Sequence, residues 1–190
     1  TLEKFPSTPG LKNGSDIWGQ SVTLQHDTRD NSLTPLSGDL ATMTIEFAQD
    51  FQSADHPSWL RFTGEARAFF PHRDDRAVFV VHALFDAVIG QRQKTVPFYE
   101  RPTLGGENTL RGYGRGRFIS DSTKLLNLEE RLNLVRHSIM GNLVELEIAP
   151  FLDIGRAARS FFSENTFGHL QFNPGIGVRA LARPNVAGRL

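Results

Sequence analysis

Between positions 60 and 70 the chain reads Leu60-Arg61-Phe62-Thr63-Gly64-Glu65-Ala66-Arg67-Ala68-Phe69-Phe70. Leu60, Phe62, Gly64, Ala66, Ala68 and Phe70 share one parity, while Arg61, Thr63, Glu65 and Arg67 share the other. A period of two marks an extended strand whose two faces meet different surroundings. One face carries charges of both signs and the other carries none.

The same design recurs on both sides of this stretch. Upstream, Val22 and Leu24 oppose Ser21, Thr23 and Gln25, and Ala41, Met43, Ile45 and Phe47 oppose Thr42, Thr44 and Glu46. Downstream, Ala77, Phe79, Val81, Ala83, Phe85, Ala87 and Ile89 oppose a face that holds His82 and Asp86. Leu126, Leu128, Leu132 and Leu134 then oppose Asn127, Glu129, Arg131 and Asn133, with Glu130 as a misfit on the apolar parity. Val144, Leu146, Ile148 and Leu152 oppose Glu145, Glu147 and Asp153. Last, Leu170, Phe172, Ile176, Val178 and Ala180 oppose His169, Gln171, Asn173 and Arg179.

These seven segments run for about 10 to 16 residues, whereas strands of soluble sandwiches usually have about 5 to 6. Tilted strands that cross a bilayer need about 9–11 residues. A polar lumen face and an apolar lipid face are the chemistry of a transmembrane barrel. Lipid leaves no backbone group unpaired, so such strands persist only in a closed barrel.

Composition narrows the alternatives. The chain has 190 residues, 21 basic and 21 acidic, with 39% hydrophobic residues and no Cys. Net neutrality argues against nucleic acid, whose binders carry a basic excess. The absence of Cys removes disulfides, thiolate metal sites and a Cys nucleophile, and suits passage through an oxidising compartment. The longest aliphatic-aromatic run, Ala77 to Val81, is far short of the ~20 residues of a spanning helix. Phe supplies 15 of the aromatics against two Trp and two Tyr, so interfacial aromatic girdles would have to rely on Phe.

Links at about 30–39, 72–76, 136–142 and 183–187 are short. They alternate with longer ones at about 50–57, 91–123 and 157–166. Short turns at one rim and longer loops at the other are the outer-membrane arrangement. The 91–123 connection exceeds the ~12–15 residues above which a structureless loop is usually functional. The first fifteen residues read as the end of a loop. The expectation is that residues 1–190 form the C-terminal portion of a larger barrel, with 7–8 strands present and first strands and upstream domains elsewhere.

Three places resemble the bacterial surface antigen family of outer-membrane assembly and translocation barrels (BamA/TamA-like). Asp27-Thr28-Arg29-Asp30-Asn31, followed by Pro35 and Gly38, resembles its strand-then-turn signature. Leu104-Gly105-Gly106-Glu107-Asn108-Thr109-Leu110-Arg111-Gly112-Tyr113 resembles the Arg-Gly-aromatic motif of its long loop, which folds back into the lumen. Leu128-Glu129-Glu130-Arg131 and Phe151-Leu152-Asp153-Ile154-Gly155 resemble the two strands that receive that loop.

The resemblance implies an all-β transmembrane antiparallel barrel of about sixteen strands when complete, in the bacterial outer membrane. It implies that Arg111 meets Glu129 and Asp153 on the inner wall, with Gly105, Gly106 and Gly112 allowing close approach and Tyr113 packing at the tip. It also implies assembly, insertion or translocation of other outer-membrane or secreted proteins. Partners would be membrane lipid, clients, upstream periplasmic domains and accessory lipoproteins. The seam between first and last strands would open to template a client strand by edge addition.

Other chemistries find little support. His26, His56, His72, His82, His137 and His169 lack metal-ligand spacing, and no Gly-x-Ser-x-Gly elbow occurs. No Gly-rich stretch ends in the Gly-Lys-Ser/Thr of a phosphate-binding loop. Neither a catalytic centre, a cofactor nor a metal is expected. Arg111, Arg115 and Arg117 beside Tyr113 and Phe118 mimic an RNA-binding segment, but the flanking strands and neutral charge oppose it. Two other readings stay open: a passive outer-membrane channel, and the barrel tail of a membrane-tethered lipolytic enzyme.

Overall fold

The computed structural model describes residues 14–52, 56–73, 76–90, 96–139, 142–159, 169–183 and 186–189. The expected leading loop end at 1–13 and parts of the links lie outside the described residues. The strands are β1 (Ile17–Asp27), β2 (Gly38–Asp50), β3 (Ser58–His72), β4 (Ala77–Gly90), β5 (Thr103–Leu104), β6 (Phe118–Ile119), β7 (Ser122–Ile139), β8 (Asn142–Ala158), β9 (Gln171–Arg183) and β10 (Val186–Arg189). One eight-stranded antiparallel sheet runs β1-β2-β3-β4-β7-β8-β9-β10. Among the described residues β1 and β10 are each paired on one side only, so the sheet is an open barrel wall. β5 and β6 form a two-stranded ribbon within the β4–β7 loop, after a short 3-10 turn at Phe98–Glu100.

Every alternating segment is a strand, and most extend further than the alternation does. β7 has 18 residues and β8 has 17, so much of the expected link at 136–142 is strand. The register slips once, between Asn133 and Val135. Leu134 is the extra residue of a β-bulge, and the parity reverses beyond it. Arg136 therefore reaches the inner face, where its Nε donates to Glu145 at 2.7 Å.

The two faces differ in what covers them. On the outward parity Val22 is 70% exposed and Ile176 69%. A band this apolar and this bare has the surface of a lipid-facing wall. The inward face pairs its charges, with Arg61 on Asp86 and Arg179 on Glu147 at 3.0 Å. It is polar only in part. Phe69, Val78 and Val80 cluster there with Leu36 of the β1–β2 turn, and Ala48, Trp59, Val88 and Val96 cluster near the opposite rim. The misfit Glu130 finds His72 at 2.8 Å, two strands away across the small Ala77.

Among the described residues no helix is long and apolar enough to cross a membrane. The spanning elements are strands.

Candidate functional site

The β4–β7 loop lies against the inward face and is pinned there by leucines. Leu104 and Leu110, 1% and 0% exposed, pack on Leu125 of β7, with Leu84, Tyr113 and Phe118 around them. The loop's own turn is tight. Gly105 and Gly106 have φ of 112° and 105°, a region that residues with a Cβ avoid. The Gly105 amide donates to Thr109 Oγ1 at 2.9 Å, and the Gly106 amide to the Tyr113 carbonyl at 2.9 Å.

This turn delivers Arg111 to two carboxylates. Its Nη2 donates to Asp153 Oδ1 at 2.6 Å, its Nε reaches both Asp153 oxygens at 3.1 Å, and its backbone amide donates to Oδ2 at 3.0 Å. Its Nη1 donates to Glu129 Oε2 at 2.5 Å. The Asp153 side chain is fully buried and that of Arg111 only 16% exposed. Burial works against the arginine's charge, but the hydrogen bonds and charges of Asp153 and Glu129 outweigh it and hold the guanidinium above its ordinary range.

Asp153 has two further donors, Asn127 Nδ2 at 2.7 Å and Asn173 Nδ2 at 3.3 Å. A carboxylate offers about four acceptor sites, so this buried group is saturated. Asn127 also donates to the Thr109 carbonyl at 2.8 Å and meets His82 Nδ1 at 2.7 Å, and His82 meets Glu65 at 3.1 Å. The network thus spans β3, β4, β7, β8 and β9.

β9 contributes contacts that sequence reasoning did not assign. The Arg111 guanidinium stacks on the Phe151 ring, Cζ lying 3.4 Å from the centroid. That ring rests on Gly175, its cross-strand partner on β9, where a Cβ would come within 2.3 Å of Phe151 Cζ. A Cβ at Gly112 would lie 2.2 Å from Asn173 Oδ1, and Tyr113 donates its hydroxyl to Gln171 Oε1 at 3.0 Å. Three successive inward positions of β9 (171, 173 and 175) thus receive or support loop residues 113, 112 and 111. The available signal was their shared parity, together with Phe151 on the parity of Asp153.

The strand-turn residues sit elsewhere. Asp27 grips Arg29 through Nε at 2.9 Å and Nη2 at 2.8 Å, and Asp30 Oδ1 accepts the amides of Leu36 and Ser37. Pro35 is buried in the turn, and Gly38 closes it with φ 88°, where a Cβ would strike the Thr28 carbonyl oxygen at 2.3 Å. These residues build a turn at the rim opposite the loop and do not touch Arg111. Both ends nevertheless border one cavity of about 300 Å³, lined by Leu33 of the turn, by Glu107 and Arg111 of the loop, and by Arg67 and Arg131 between them.

An antiparallel wall with a bare apolar outside, a charged inside and a loop tied into that inside defines a transmembrane β-barrel. The family model for the Omp85 superfamily domain matches residues 7–178. The chain belongs to the Omp85 superfamily and so lies in the bacterial outer membrane. Its fold is similar to that of BamA from Haemophilus ducreyi lacking POTRA domains 1–3, with a TM-score of 0.68 at 14% identity. The match covers 97% of this chain and 44% of that one, so the chain spans less than half the length of that structure. No curated protein sequence matches the chain. Among the described residues no group of His, Asp and Glu is gathered that could hold a metal ion.

Proposed function

We propose that residues 1–190 form the C-terminal part of a barrel that assembles, inserts or translocates other outer-membrane or secreted proteins. Arg111 latches the tip of the β4–β7 loop to the inner wall, while Leu104 and Leu110 keep the loop in the lumen. The observation that carries this reading is the fully buried Asp153, whose charge is met by the fork of a loop arginine. A passive pore has no use for a buried charge reserved for its own loop. The latch sets the shape of the inner wall that an arriving client strand meets. Periplasmic domains ahead of the barrel would recruit clients to it.

The test is a double-mutant cycle on the full-length protein folded into lipid. Losing one partner of a buried pair costs up to about 3–5 kcal/mol, and an exposed pair contributes ~0–1 kcal/mol. Arg111 is partly exposed, so Arg111→Ala should cost between these limits. Asp153→Ala should cost a similar amount, and the double variant little more than either single. Fully additive losses in a urea titration would uncouple the residues and remove the latch.

Orientation is part of the same reading, with the loop-bearing rim outside and the Arg73 turn toward the periplasm. Cysteine at position 114, where a Cβ meets nothing within 4 Å, should label with an impermeant thiol reagent in intact cells. Cysteine at position 73 should not. The reverse pattern would invert the barrel.

A further inference from the structure

The outward face carries one feature that a lipid-facing wall does not need. Met43, Gly64, Phe85, Lys124 and Arg156 form a single cross-strand row over β2, β3, β4, β7 and β8. Lys124 faces outward because its neighbours Thr123 and Leu125 are buried on the inward side, Leu125 against Leu104 and Leu110. Arg156 faces outward because Gly155 lies under the same two leucines, as close as 3.0 Å to a Cβ placed there. Lys124 and Arg156 are direct partners in register. Like charges set opposite each other weaken a sheet, and cations on a lipid face cost more the deeper they lie. Both sit two residues in from a strand end, roughly 7 Å at the rise of a strand, on the side of the wall that bears the β4–β7 loop.

Beside them runs an apolar groove of about 340 Å³ lined by Met43, Gly64, Ala66, Ala83 and Phe85, with Lys124 also on its wall. Gly64 makes this possible, because the Phe85 ring lies across its Cα where a Cβ would meet Cε1 at 2.0 Å. The small Ala66 and Ala83 in the next row leave the space open. An apolar channel that leads to two facing cations matches an acyl chain joined to a phosphate. A phosphate monoester carries about −1.5 to −2 charge, enough for both side chains, and its oxygens make charge-assisted hydrogen bonds with ammonium and guanidinium.

We propose that this row and groove are a binding site for a phosphorylated, acylated glycolipid of the outer leaflet. The phosphate lies on Lys124 and Arg156 and an acyl chain lies in the groove. The inference rests on the orientation proposed above, which cysteine labelling at positions 114 and 73 decides independently.

The experiment uses the full-length protein in detergent and native mass spectrometry. Three probes are offered at equal concentration: diphosphoryl lipid A, dephosphorylated lipid A with the same acyl chains, and phosphatidylglycerol. The wild type should retain diphosphoryl lipid A about tenfold better than either competitor, the worth of one charge-assisted hydrogen bond. K124Q/R156Q should abolish the preference for phosphate. A83F, which fills the groove and leaves both cations in place, should lower retention of both lipid A forms together. A wild type that ignores the phosphate, or that prefers phosphatidylglycerol, overturns the site. So does a charge variant that discriminates as the wild type does. If K124Q/R156Q fails to fold, the wild-type comparison and A83F still decide.

Discussion

At the scale of single residues the chemistry turns on how Arg111 is oriented. Charge alone would not require arginine, since lysine is also a cation. A planar guanidinium can fork onto Asp153, reach Glu129 and stack on Phe151 at once. Two of these three partners follow from the family resemblance, and the sequence supports them because Glu129 and Asp153 fall on the polar parity, which is local information. The sequence hides Phe151 and the β9 contacts. Which residue of one strand faces which residue of the next depends on register over distance, and no local pattern states it. Gly175 shows the consequence. A methyl group there must push the Phe151 ring toward the guanidinium stacked on it, an overpacking typically worth 1–3 kcal/mol. At Gly177, two residues along β9, an added Cβ finds only Ala149 at 3.6 and 3.9 Å. Gly175→Ala should therefore lower stability by about 1–3 kcal/mol, while Gly177→Ala leaves it nearly unchanged. Equal midpoints in urea for the two variants would mean that the ring does not transmit strain to the latch.

At the scale of elements, alternation located every long strand and failed elsewhere for three identifiable reasons. β5, β6 and β10 have two, two and four residues, too few to show a period. The bulge at Leu134 reverses the parity inside one strand, and the reading that put Leu134 in line with Leu132 carried the old phase past it. The inward side of β4 includes Val78, Val80, Leu84 and Val88, apolar because a turn or the loop covers it. The division into faces can be tested on adjacent residues of β1. Val22 is outward and mid-strand, so Val22→Arg should cost about 2–4 kcal/mol near mid-membrane. Thr23 points inward and bonds Thr44 at 2.9 Å, so Thr23→Arg loses a cross-strand pair worth about 0.2–1 kcal/mol. Folding titrations into lipid that rank the two the other way would exchange the faces of the wall.

At the scale of the whole molecule the question is what holds the loop inside the barrel. Two kinds of interaction do so, and they differ in strength and in purpose. Leu104 and Leu110 are completely covered, and full burial of a leucine contributes about 1.5–3 kcal/mol. The Arg111 network has to offset the desolvation of its own charges, so its gain is more in placement than in adhesion. Arg111→Ala should accordingly leave the loop within the lumen but free its tip. Leu110→Asp together with Arg111→Ala should release it, because a carboxylate cannot stay among Leu104 and Leu125 without a partner. In planar bilayers the full-length wild type should then conduct little. Arg111→Ala should add brief, small openings, and the double variant should approach the steady conductance of a barrel lacking residues 98–119. If Arg111→Ala alone reaches that conductance, the ion pairs hold the loop and the leucines do not. If the double variant stays closed, the lumen is blocked by something other than this loop.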